Sequence, residues 1–192
     1  MRAVTNLIQT SVTGDNPRVA LRVAFSQECD RIGHEITLVE RLSDGERITS
    51  LCSSLEGTPS DAWPPSSPLQ SLSIEQRPTG DVALLVGMAG RSHWSASFAT
   101  FADKPRLLIE HACRVGGEPI FLGSTYRCAD DLRREQISER EVVLHIGEVR
   151  VHLRAAQINV SDDLKELRVA APMPWTVKPV RWELEWVVEF EK

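Results

Sequence analysis

At 192 residues, with 42% hydrophobic and 26% charged side chains, the chain can bury a substantial core without disulfides or metal, and it is read as a single β-rich domain over 1–192. A net charge of −5 with no dense Lys/Arg stripe argues against a nucleic-acid binder. No run approaches the ~18 apolar residues of a membrane span, and the first sixteen residues hold no apolar signal core, so a cytoplasmic protein with no membrane partner is expected.

Cys29, Cys52, Cys113 and Cys128 are widely spaced, with no Cys-x-x-Cys pair and no histidine at finger spacing, which predicts free thiols. Eighteen of the 22 basic residues are arginine. That bias suits bidentate anion contacts, although a GC-rich bacterial genome produces it equally well.

In chain order, residues 1–16 carry no clear period, and Asp15-Asn16-Pro17 reads as a turn. Arg18 to Phe25 alternates cleanly, with Val19, Leu21, Val23 and Phe25 on one face, and predicts a strand. Asp44-Gly45 joins His34–Leu42 to Glu46–Ser53 as a hairpin. The apolar residues of that pair do not sort to one face, so it lies at an edge or is covered on both sides.

Residues 56–68, EGTPSDAWPPSSP, form a Pro/Ser-rich loop around Trp63. A tryptophan in such a loop either docks on the body or lids a site. A meander follows. Leu69–Arg77 turns at Pro78-Thr79-Gly80 into Asp81–Met88, whose run Val82–Val86 is apolar on both faces and predicts a strand covered twice.

Arg91 to Val115 is the most informative stretch. A turn at Ala102–Pro105 sets Trp94 opposite Cys113, Ala96 opposite His111 and Phe98 opposite Ile109 on an apolar face. The polar face then carries His93 opposite Arg114 and Ser97 opposite Glu110. Ile120–Arg127 adds a further strand, and Ala129–Arg140 reads as a short surface helix with Leu132 and Ile137 as its thin apolar side.

Glu141–Ile146 and Val149–Ala155 pair across Gly147-Glu148, a two-residue turn. Ser161–Leu164 starts a helical turn. Arg181–Glu191 alternates Trp182, Leu184, Trp186, Val188 and Phe190 against charged residues, which pins it into the core. The sum is a mainly β fold of about ten antiparallel strands with one helix near 129–140: a β-sandwich or a curled, barrel-like sheet.

Three constellations bear chemistry. His93, Glu110, Arg114 and Ser97 lie within one or two cross-strand steps and could grip an anion or small ligand; the bland alternative is a solvated face of charge pairs. His145, His152 and Glu141 have the composition of a mononuclear metal site, but Arg150 and Arg154 directly opposite oppose a divalent cation, so charge pairing is the better account. Trp94, Trp182 and Trp186, with Trp63 and Trp175, build a core or line an apolar pocket.

The segment 122–127, holding Tyr126 and Arg127, is a candidate binding loop. No phosphate loop, nucleophile elbow or zinc-protease motif is present, so no cofactor or catalytic residue is assigned. The leading expectation is non-catalytic binding of a small molecule or protein partner through His93, Glu110, Arg114, Trp63, Tyr126 and Arg127. The rivals are a hydrolase- or isomerase-like enzyme using His93 or the His145/His152 pair, and a self-assembling structural subunit that pairs sheet edges.

Overall fold

The computed structural model describes residues 4–10, 18–161, 165–175 and 178–190. The alternation after Pro17 places Val19, Leu21, Val23 and Phe25 in the core on β2 (Arg18–Glu28), which pairs with β1 (Val4–Gln9) on one side. On its other side lies β3 (Arg31–Leu42), buried almost without a break from Arg31 to Glu40, which explains why its apolar residues do not sort to one face. The Asp44-Gly45 hairpin leads to β4 (Gly45–Ser54).

After the 56–68 loop come β5 (Ser71–Glu75), β6 (Val82–Ala89), β7 (Ser92–Thr100) and β8 (Arg106–Arg114). The β7–β8 hairpin adopts the register expected from its two faces, Trp94 opposite Cys113 through Phe98 opposite Ile109. The remaining strands are β9 (Gly123–Cys128), β10 (Arg133–Ser138), β11 (Glu141–Ile146), β12 (Val149–Ala155), β13 (Ile158–Val160), β14 (Glu166–Ala170) and β15 (Val180–Phe190).

They make two antiparallel sheets, ordered β1-β2-β3-β4-β9-β14-β13 and β10-β11-β12-β15-β8-β7-β6-β5. Neither closes into a barrel. Their inner faces meet in one apolar core, where Phe25 of the first sheet sits edge-on to Phe98 of the second at 5.2 Å, and Tyr126 to Trp186 at 6.1 Å. Strand β15 lies between β8 and β12, so Trp182, Leu184, Trp186 and Val188 are buried as its alternation requires.

Three expectations are corrected. The described residues hold fifteen strands where about ten are expected, and no helix. The segment expected as a helix over 129–140 is instead a turn followed by β10, an edge strand pairing with β11. Its two apolar residues could not anchor a helix. Pairing satisfies the backbone without them, and the charged exterior of Arg133 and Glu135 guards the edge.

Strand β6 is the third correction. It is not covered on both sides, because Leu84, Val86 and Met88 are 38%, 55% and 47% exposed. Residues 162–164 of the helical turn expected from Ser161, and the turn at Asp15–Pro17, lie outside the described residues.

The long loop is docked. Ser66 bonds to both the amide and the carbonyl of Thr125 on β9, the Leu69 carbonyl accepts from Ile32, and Trp63 sits edge-on to Trp94 at 6.4 Å. It stitches one sheet to the other. Where it passes over β6 the backbones nearly touch, for a Cβ on Gly87 would lie 1.9 Å from the Pro68 carbonyl oxygen. Only glycine fits there.

Candidate functional site

The outer face of the eight-stranded sheet is built from side chains that alternate away from the core. Cross-strand register sets them in rungs: Met88, His93 and Arg114; then Val86, Ser95, Ala112 and Arg181; then Leu84, Ser97, Glu110 and Glu183. Ser95, Ser97 and Ala112 are small, so the middle of the face is low. The larger residues of β6 stand on one side, with Arg181 and Glu183 of β15 on the other.

The result is a groove. One cavity of about 650 Å³ reaches Leu84, Ser97, Glu110, Pro172 and Glu183. A second, of about 570 Å³, reaches Gln70, Met88, His93, Arg114 and Pro179. Val86, Ser95, Ala112 and Arg181 line both, so the two run into each other. Each falls within the range of small-molecule sites, roughly 300–1,000 Å³.

The groove is electrically bipolar. His93 and Arg114 stand at one end, Glu110 and Glu183 at the other, and Arg181 stands on the middle rung between them. Four residues separate the first rung from the third, or about 13 Å at the rise of a strand. Ser97 donates to Glu110 Oε2 at 3.2 Å, which fixes that carboxylate over the floor. On the middle rung the surface is made of Val86, Ser95 and Ala112, with Arg181 at its side.

Three of the expected site residues, His93, Glu110 and Arg114, therefore line one groove. The other three lie elsewhere. Trp63 packs on Trp94. The 122–127 segment is strand β9, not a binding loop, and Tyr126 is fully buried with its hydroxyl 3.0 Å from His34 Nε2. Burial together with the nearby Glu56 carboxylate and Cys52 pushes its phenol well above the usual range. Arg127 is exposed on the seven-stranded sheet and paired with Glu166.

Trp94, Trp182 and Trp186 are core residues, and Trp182 stacks on His111 at 5.1 Å while donating to Ser124. The β11–β12 hairpin has the expected register, but its histidines are committed to contacts with carboxylates. His152 Nδ1 lies 2.8 Å from Glu141, which also accepts from Arg154, and His145 lies 3.2 Å from Glu135. Those contacts hold the Glu141 carboxyl below its usual range, His152 first. Among the described residues no His, Cys, Asp or Glu group has the arrangement of a metal site.

Among known families, curated proteins and solved structures, nothing matches this chain. The groove is then the guide to function.

Arg181, Glu183, Leu84, Val86 and Met88 are the lining residues that sequence reasoning missed. The signal was present in Val82–Val86, apolar on both faces. Such a run marks either a central strand or one whose outer face is an apolar binding surface. Only the position of β6 beside the edge strand β5 distinguishes them.

Proposed function

We propose that the protein is a non-catalytic binding module for a linear, amphipathic small molecule that carries an anionic group at one end and a cationic or strongly donating group at the other. The two sheets form a sandwich that serves as the rigid base. The ligand lies along the groove with its anion between His93, Arg114 and Arg181, its apolar middle on Val86 and Ala112, and its donor end at Glu110 and Glu183. The observation that carries this reading is the pair of merging cavities with Arg114 at one end, Glu110 and Glu183 at the other, and Arg181 on the rung between them. A routine solvated sheet face intersperses its signs and holds no such trough.

The test is calorimetric titration with three probes: a long-chain ω-amino acid, the matching fatty acid and the matching alkylamine. The ω-amino acid should bind saturably and tighter than either single-ended probe. Arg181→Ala should weaken it and the fatty acid but leave the alkylamine unchanged. Ser95→Trp, which fills the floor, should abolish all three without lowering the melting temperature by more than a few degrees. Equal affinities for the three probes, or binding that survives Ser95→Trp, would sink the reading.

A further inference from the structure

A second feature lies in the core at the joint of the seven-stranded sheet. Strands β4 and β9 pair over only three rungs, Cys52 to Cys128, Ser53 to Arg127 and Ser54 to Tyr126, yet this ladder joins the β1–β4 half of the sheet to the β9-β14-β13 half. Leu55 donates to Thr125 and Ala129 donates to Leu51, which makes those flanking rungs the hydrogen-bonded ones. Alternation then makes Cys52–Cys128 a non-hydrogen-bonded rung, the kind that brings opposite Cα atoms to about 4.5 Å. That spacing falls at the short end of what a disulfide spans, about 4.4–6.8 Å.

The thiols already face each other. The two Sγ atoms are 2.8 Å apart, and both side chains are buried. Closing to a covalent S–S bond, about 2.05 Å, takes a shift of less than an ångström. The partner side chain comes from the other sheet. Arg134 of β10 stands opposite Leu144, a core residue, so it too faces inward, and its guanidinium bonds to the carbonyls of Ala129 and Asp130 just beyond Cys128.

We propose that Cys52 and Cys128 are a redox modification site, forming a reversible cross-strand disulfide with peroxide as oxidant. Cys128 is the attacking sulfur. Its thiol is held below the usual range by its hydrogen bond with Cys52 and by Arg134, whereas burial pushes Cys52 well above it. Cys113, without such partners, is pushed up to about 12 by burial and stays inert.

In the first step the Cys128 thiolate attacks one oxygen of hydrogen peroxide. The O–O bond breaks, Cys128 becomes a sulfenic acid, and the departing hydroxide takes up the thiol's proton as water. The Cys52 sulfur then displaces the sulfenic hydroxyl, the S–S bond forms, and a second water leaves. Two thiols lose two electrons and one peroxide becomes two waters. A dithiol reductant reverses the result by exchange.

The experiment uses the full chain with Cys29→Ser, which removes the exposed thiol. The protein is treated with hydrogen peroxide, alkylated in denaturant and mapped by peptide mass, with and without prior dithiothreitol. The expected result is a Cys52–Cys128 linked peptide, Cys113 alkylated throughout, and full recovery of thiols after reduction. Arg134→Gln should slow formation, because the guanidinium that favours the thiolate is gone. In Cys52→Ser, whose hydroxyl can still hydrogen-bond to Cys128 but cannot form the disulfide, Cys128 should instead accumulate as a dimedone-reactive sulfenic acid. Alkylation of both cysteines after treatment, their conversion to sulfinic acid without a link, or oxidation of Cys113 at an equal rate would each overturn the proposal.

Discussion

Replacing His111 with phenylalanine should lower stability at neutral pH and raise it in acid. His111 faces the core from β8, its Nδ1 2.9 Å from the Ser67 hydroxyl and its ring stacked on Trp182 with 9° between the planes. Burial pushes its pKa down to about 3, so the folded protein keeps the ring neutral over most of the acid range. An unfolded chain takes up that proton near pH 6.5.

Between those values the unfolded state binds one proton more than the folded state. Its contribution is therefore complete above about pH 6.5 and is lost as pH falls toward 3, at about 1.4 kcal/mol per unit. At pH 4 the loss reaches about 3 kcal/mol. Phenylalanine keeps an aromatic ring on Trp182 but strands the Ser67 hydroxyl, a cost of about 1–2 kcal/mol at neutral pH. The two stability curves should then cross between about pH 5 and 6. Urea denaturation followed by tryptophan fluorescence across pH measures both, and the carboxylates common to the two proteins cancel in the difference. Parallel curves would refute a buried neutral imidazole.

The remaining predictions concern the core and its closest approach. Tyr126 is the chain's single tyrosine, and its raised pKa means that its stabilising contribution is intact below about pH 10 and lost as pH rises beyond. Phenolate absorbance should thus appear only with unfolding, and a reversible titration near pH 10 with native circular dichroism would contradict its burial. Gly87→Ala should cost more than about 2 kcal/mol, because the new methyl meets the Pro68–Leu69 backbone. Gly117→Ala meets only the Trp63 ring at 3.7 Å and should change stability by less than about 0.5 kcal/mol in chemical denaturation, so equal effects would discount the docked loop.

Alternation was enough to place the long strands. In β2, β7, β8, β11, β12 and β15 one face is mainly apolar and the other mainly polar, so the face was legible from the residues alone, and for the β7–β8 and β11–β12 hairpins the register as well, because a slip of one residue would bury charge. The polar face carrying His93, Glu110 and Arg114 was legible for the same reason. The 129–140 segment was not, because charged residues with two apolar ones satisfy a weak helix and an edge strand equally, and pairing with β11 decides.

Residues brought together by distant pairing were equally hidden. Nothing in local pattern sets Cys52 against Cys128, stacks His111 on Trp182, or adds Arg181 and Glu183 to a groove begun by β6 and β7. Period and turn chemistry act over a few residues and determine which way a side chain points. Strand order is decided by which faces can share one core, and that order alone determines what each side chain points toward.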